Sequence, residues 1–442
     1  MKFDLMESTF SLFTLVPLIF IFSASAKSSP YGSVSLPCIT MLTSFIYFYL
    51  MPVLTLAAGD DGFFGMYILT LEKTHFVVAL YVIGAGVAFL ANWRVLSVDP
   101  SLRRDQDREI PNLILGMFWS VAVLGIVVQM ATGRLNLTGA EDYQQISAEG
   151  ISQFAFLAQT YNFMVPLTLV ALIRERFSTR SLLFLMVVLV IFLQAGFRFR
   201  IMIMLAAIVT AYALMHRKRI GLLVTLGGVV IALALVNVIG AIRRYGSGVD
   251  LDNLNNIKSD SLFSSFGGEL GIVYVLNYTA ENPLPELVTF DPWLVGVARL
   301  IPSFIWSDKP SADYLRNFIA GTTIVNADKA GIAAPQHVEM LYQFGWFGLP
   351  ILAFLYFGLA CLIVGRLLNT TRETRIAGCA LAPAFFGYYM QTRGYFFQVF
   401  SDGLFMFGPL FLLNQSAGGR VEKVIARLRN VRRTIAEGRP QL

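Results

Sequence analysis

Apolar runs of about twenty residues follow one another along this chain, and that repetition limits what it can fold into more than any motif does. Each run is about as long as a helix needs to cross the ~30 Å hydrocarbon core of a bilayer. Runs are read at 10–25, 35–58, 75–93, 112–131, 151–173, 181–197, 201–215, 220–242, 338–364, 377–391 and 395–413. Solid apolar runs call for helices, because barrel strands would show only weak alternation. The expected fold is therefore an all-α polytopic membrane protein of about eleven transmembrane helices, with the sixth and seventh forming a tight hairpin. Charged residues make up 14% of the chain. A soluble domain carries roughly 25%, so most of this chain is not solvated by water.

Cys38, Cys361 and Cys379 all fall inside apolar runs with no paired spacing, so neither a disulfide framework nor a metal site is expected. The first run ends in Ser23–Ala26, SASA, which resembles a signal-peptidase site. Asp4 and Glu7 precede it beside a single Lys2, whereas signal peptides begin positive, so it is read as an uncleaved helix.

Orientation follows from where Lys and Arg lie in the short loops. With the C-terminus cytoplasmic, the inside segments hold 21 of the 34 basic residues and 8 of the 28 acidic ones. An odd number of helices then puts the N-terminus on the outside. The same bias removes any nucleic-acid reading of the net charge of +6, since the excess positive charge lies where anionic lipid attracts it. The tail 418–442 has Val421, Val424, Ile425, Leu428, Val431 and Ile435 at helical spacing among basic residues, and is read as an amphipathic helix lying on the cytoplasmic surface.

No linker divides the chain, so 1–442 is one integral membrane domain. Within it, 243–336 forms a large outside loop, and loops of that length are functional or structured. Its segments 262–278 and 291–306 are apolar but broken by Gly, Pro and Ser, which predicts re-entrant or interfacial helices and a partly helical periplasmic loop.

Several arginines fall on the outside, against the bias. Arg198 and Arg200 occupy the turn GFRFR, Arg243 and Arg244 end the eighth run, Arg393 stands between the last two runs, and Arg299 lies in the apolar loop segment. Arginine at membrane depth costs a few kcal/mol unless paired or facing water, and its planar fork suits phosphate oxygens. Together they are candidates for holding a lipid diphosphate. The plain alternative is that each snorkels to a phospholipid headgroup or pairs with a loop acid.

At the outer end of the ninth run, His337 and Glu339 stand in the first turn of a helix. Either is a candidate general base for a sugar hydroxyl. The alternatives are an interfacial histidine and an acid complementing the helix dipole. Their spacing of two turns them roughly 200° apart. Gly345 and Gly348, as GxxG, predict close approach of another helix. Asp402 is a carboxylate inside the last run, and either pairs with an arginine or acts in chemistry.

GFRFR opening a helix, IPSFIWSDKP (301–310), PQHVEMLYQFGWFG (335–348) and RGYFFQVFSDG (393–403), with the multi-span layout and the late outside loop, resemble the Wzy-type oligosaccharide repeat-unit polymerases, to which the O-antigen ligases are related. Val338 directly after His337, where the ligases place Asn or a similar polar residue, favours the polymerase. The resemblance implies metal-independent, cofactor-free, inverting glycosyl transfer at the periplasmic face of a bacterial inner membrane, in surface polysaccharide biosynthesis. It implies undecaprenyl-diphosphate-linked oligosaccharides as donor and acceptor, membrane lipids as surroundings, and a chain-length regulator as a further partner. The alternatives are a ligase-like glycosyltransferase or a lipid-linked oligosaccharide flippase. A transporter should show related halves, and no internal repeat is found.

Overall fold

The computed structural model describes residues 5–53, 62–63, 66–67, 71–102, 110–131, 157, 159–194, 198–228, 231, 272–281, 289–301, 305–310, 335–392 and 396–417. Among them helix dominates. The order is α1 (Leu5–Ser28), α2 (Leu36–Phe45, continued by a π turn, Ile46–Leu50), a two-residue antiparallel pair β1 (Gly62–Phe63) and β2 (Met66–Tyr67), α3 (Glu72–Ala91) and α4 (Asn112–Ala131). A 3₁₀ segment, Gln159–Phe163, leads into α5 (Met164–Arg174), followed by α6 (Thr179–Gln194) and α7 (Arg198–Met215). Residues 272–281 form α8. Then come α9 (Asp291–Leu300), α10 (Gln336–Leu367), α11 (Arg372–Ala382, continued by a π turn, Pro383–Tyr389, and Met390–Thr392) and α12 (Phe396–Ala417).

Four stretches among the described residues are long and apolar enough to cross a membrane: Leu36–Val53, Glu72–Ala91, Asn112–Ala131 and Gln336–Leu367. Outer faces stay apolar on these stretches and on the shorter α6. Leu113, Met117 and Val127 of α4, Leu183, Met186 and Val187 of α6, and Ile351, Leu355, Leu359 and Leu362 of α10 are each more than half exposed. A protein surrounded by water rarely exposes apolar patches beyond a few hundred Å². This surface is built for lipid, and the chain is a helical membrane protein.

The centre is the pair α3 and α10. A Cβ on Gly84 would lie 2.2 Å from the Pro350 carbonyl oxygen, so the two backbones touch. Ala85, Ala88, Ala353 and Ala360 are fully buried here. Small residues let helices approach closely where lipid removes the hydrophobic drive for packing. Tyr81 and Phe89 close the seam edge-on against Phe357, at 5.7 and 5.1 Å between ring centroids.

The GxxG expectation is corrected here. Among the described residues a Cβ at Gly345 would meet nothing within 4 Å, and one at Gly348 would strike Phe344 of the same helix. Gly345 has φ +67° and ψ −162°, beside Phe344 at φ −139°, and it breaks α10 into two arms. That backbone region is essentially open to glycine alone. The motif makes a kink, and the helix contact it was expected to supply is made by Gly84.

Hydrogen bonds sort the connections into two ends. Ser33 N–H and Oγ donate to the Ile220 carbonyl at 3.1 and 2.8 Å. Arg174 Nη1 donates to the Ile110 carbonyl at 3.0 Å, and Arg375 Nε to the Pro100 carbonyl at 2.8 Å. Thr371 N–H donates to Asn414 Oδ1 at 3.0 Å. One end of the bundle therefore gathers segments rich in arginine. At the other end Lys73 pairs with Glu281 at 2.9 Å, and Asn277 donates to Thr74 at 2.9 Å. These last contacts seat α8 on the start of α3. Ile272, Val273, Tyr274, Val275 and Leu276 are buried, so this part of the 243–336 segment belongs to the packed interior.

Arg198 and Arg200 lie in the first turn of α7, inside the helix and not in the turn before it. Asn162 and Asp402 hold the Arg200 side chain inward, which accounts for the early start. Arg243, Arg244, Arg393 and the tail 418–442 lie outside the described residues, as do the side chains of Arg198 and Arg299.

Candidate functional site

Two buried polar groups occupy the end of the bundle opposite the arginine-rich one. The first is built around Arg200. A Cβ at Gly125 of α4 would lie 2.4 Å from Thr160 Oγ1 and 2.6 Å from the Tyr161 nitrogen, so glycine lets the 3₁₀ segment lie flat on α4. Thr160 Oγ1 fastens it by donating to the Val121 carbonyl at 3.0 Å. Tyr161 and Asn162 are thereby aimed at α7. Arg200 Nε donates to Asn162 Oδ1 at 3.1 Å, and the guanidinium lies over the Tyr161 ring, 5.2 Å from its centroid. Arg200 Nη2 stands 3.7 Å from Asp402 Oδ2.

Asp402 is 1% exposed, within α12, and its two oxygens are divided between neighbours. Asn162 Nδ2 donates to Oδ1 at 3.3 Å, and the Tyr389 hydroxyl donates to Oδ2 at 2.5 Å. Tyr389 ends the π turn Pro383–Tyr389. Such turns recur at functional sites because they re-aim one face of a helix. Of the two roles expected for Asp402, pairing with an arginine is the one seen. The Arg200 side chain keeps 16% of its surface exposed. The arrangement is a cation anchored on one edge by a carboxylate, an amide and a ring, which suits recognition of an anion by a fixed fork.

The second group lies on the first arm of α10. Glu339 is 1% exposed, and its Oε2 accepts the Phe396 backbone N–H at 2.6 Å. Phe396 opens α12, so Glu339 satisfies one of that helix's orphan amides and complements its dipole. His337, fully buried, faces the other way, between the rings of Tyr81 at 4.0 Å and Phe48 at 4.6 Å. The two candidate bases thus diverge, as their spacing requires. Glu339 reaches the start of the helix that carries Asp402, and His337 is enclosed by aromatic carbon. The Tyr81 hydroxyl donates to Gln336 Oε1 at 3.0 Å. Trp293 of α9 donates from Nε1 to Gln343 Oε1 at 3.1 Å and packs on Phe396 at 4.3 Å.

The structure brings Arg200 and Asp402 together, and sets Glu339 against the helix that carries Asp402. Asn162, Tyr161, Tyr389, Gln343 and Trp293 were missed from sequence. Asn162 and Gln343 carried a usable signal, being uncharged polar residues inside apolar runs, where an unsatisfied amide is costly. Tyr389 carried none, because a π turn leaves no mark in a hydropathy pattern. Comparison with protein-family models, curated proteins and solved structures finds no match to this chain.

Proposed function

We propose that this protein is a polymerase of undecaprenyl-diphosphate-linked oligosaccharide repeat units, acting as an inverting glycosyltransferase in surface polysaccharide biosynthesis. The observation that carries the reading is the Arg200 guanidinium, fixed by Asn162, Asp402 and Tyr161 at the same end of the bundle as the Glu339 carboxylate. On this reading the arginine-rich end is cytoplasmic and the opposite end periplasmic, in a bacterial inner membrane. About eleven spans cross it, 243–336 is the periplasmic loop, and the N-terminus is periplasmic.

The chemistry then runs as follows. A carboxylate takes the proton of an acceptor hydroxyl. The hydroxyl oxygen bonds to the anomeric carbon of the donor glycan from the face opposite the diphosphate. The bond from that carbon to the diphosphate oxygen breaks, and arginine offsets the charge that develops there. Glu339 fits the base better than His337, because aromatic carbon encloses the imidazole. Arg200 serves the leaving group, with Arg198, Arg243, Arg244, Arg299 and Arg393 proposed beside it.

The test is purified full-length protein in nanodiscs with lipid-linked repeat units, scored by glycan length. The wild type should build a ladder. Arg200→Lys keeps the charge but loses the fork and should slow the reaction at least ~10-fold with normal membrane insertion. Glu339→Gln should abolish lengthening. No ladder from the wild type, with both substrates present, would sink the proposal.

A further inference from the structure

Arginine does two different things at the arginine-rich end of the bundle. Arg174 and Arg375 donate to backbone carbonyls and tie segments together. Arg176, Arg180, Arg217 and Arg219 are exposed, and their side chains make no hydrogen bond or ion pair among the described residues.

The fold brings these four together from two segments, 174–180 and 212–219. Helices α5 and α7 stop in the same way. The Phe177 N–H donates back to the Leu172 carbonyl at 2.8 Å, and the Lys218 N–H to the Ala213 carbonyl at 2.9 Å. The residue before each has a left-handed backbone, Arg176 at φ +52° and Arg217 at φ +51°. Glycine ordinarily holds that position, and here both are arginine. A row of rings joins the two turns. Phe177 meets Tyr212 edge-on at 5.6 Å, Tyr212 meets His216 at 4.3 Å, and Lys218 Nζ stands 5.9 Å from the Tyr212 centroid.

The two segments hold the exposed cations Arg176, Arg180, Arg217, Lys218 and Arg219 against a single carboxylate, Glu175, to which the Ser178 hydroxyl donates at 2.9 Å. A helix C-terminus favours a cation, which accounts for Arg176 and Arg217. It does not account for Arg180, which stands in the first turn of α6, where the dipole disfavours it. Further along the same helices the surface turns apolar: Leu183 and Val187 of α6 and Val209 of α7 are about half exposed or more.

We infer that the turns 174–180 and 212–219 form a headgroup site for an anionic diacyl phospholipid. Its phosphate meets the cations, whose arginine forks suit phosphate oxygens, and Tyr212 lies at the interface where such rings gather. Its acyl chains lie along the exposed apolar faces of α6 and α7. A soluble phosphate would leave those faces unused, which is why the occupant is a lipid. Neither Arg200 nor Glu339 takes part, so the inference is independent of the transferase reading.

If anionic lipid were drawn only by the diffuse positive field of this end, any exposed arginine there would serve equally. The experiment therefore compares two pairs of arginines. Delipidated full-length protein in neutral detergent is titrated with phosphatidylglycerol, with phosphatidylcholine of the same chains, and with glycerol phosphate, and is read by native mass spectrometry. The wild type should retain phosphatidylglycerol about 10-fold better than phosphatidylcholine. Arg180→Gln combined with Arg217→Gln should remove about 10-fold of that retention. Arg94→Gln combined with Arg366→Gln, both exposed at the same end, should leave it unchanged. Without lipid, the first double variant should melt like the wild type. Phosphatidylglycerol should then raise the melting temperature of the wild type and not of that variant.

Equal retention of the two lipids by the wild type would overturn the site. So would equal losses in the two double variants, which would reduce it to a diffuse field. Glycerol phosphate displacing the lipid at matched concentration would make the occupant a soluble phosphate, against the proposal. A first double variant that melts lower without lipid would show that these arginines serve the fold instead.

Discussion

The two buried polar groups at the end of the bundle opposite the arginine-rich one resemble each other in composition and differ in how they are satisfied. Around Arg200 the polar atoms bond to one another: guanidinium to amide, amide to carboxylate, phenol to carboxylate. Along α10, Gln336 and Gln343 each use one end of the side-chain amide, and the imidazole of His337 and the hydroxyl of Tyr356 bond to nothing among the described residues. A satisfied network rigidifies whatever it holds, whereas an unsatisfied one is destabilising until something completes it. The first group is therefore organised for positioning, and the second carries a standing cost in stability.

The largest expected effect tests the first half of that contrast. Asp402→Leu leaves the Arg200 cation largely buried without its carboxylate, and breaking such a pair costs about 3–5 kcal/mol. Thermal unfolding in detergent should show the loss, and Arg200→Leu in the same chain should recover much of it. A loss in the double variant equal to the sum of the two single losses would mean that the pair is not coupled.

Next comes the kink. Gly345→Ala places a Cβ on a backbone conformation reserved for glycine and should cost about 1–3 kcal/mol. An alanine variant as stable as the wild type would show that α10 can straighten.

His337→Phe sharpens the other half. The ring stays aromatic between Tyr81 and Phe48, and no hydrogen bond among the described residues is lost, so stability should hold or rise by up to about 1 kcal/mol. A fall of several kcal/mol would show that the imidazole nitrogens are partnered after all. Smallest of all is Lys73→Ala. Its pair with Glu281 is half-exposed on the lysine side, and such pairs are worth about 0–1 kcal/mol. A large loss there would mean that the seat of α8 depends on charge more than on its buried Ile272–Leu276 face.

Hydropathy made the helices legible, because a run of apolar residues long enough to span a bilayer leaves few other options. The pairing of Asp402 was within reach as well, since a charge inside an apolar run needs a partner. The kink was not, since GxxG reads alike whether glycine serves a neighbouring helix or a φ of +67° at Gly345. Nor was the choice between Glu339 and His337. Which face of a helix meets carbon and which meets an amide depends on Tyr81, Phe48 and Phe396, and those arrive from elsewhere in the chain.

The π turn Pro383–Tyr389 has a consequence for how the sequence tolerates insertions and deletions. A π turn holds more residues per turn than an α-helix, so the helical phase of Tyr389 and Gln391 is decoupled from that of Arg375 at the other end. Removing one residue inside the π turn would convert it to an α turn and keep the phase of the helix on either side. Tyr389 would stay on Asp402, and Gln391 would keep the bonds it makes to Ser44 and to the Thr40 carbonyl. The same deletion in the regular part of α11, between Arg375 and Pro383, would instead turn everything downstream by about 100°. The buried Arg375 anchor would stay bonded to the Pro100 carbonyl, and only the opposite end would be dismantled.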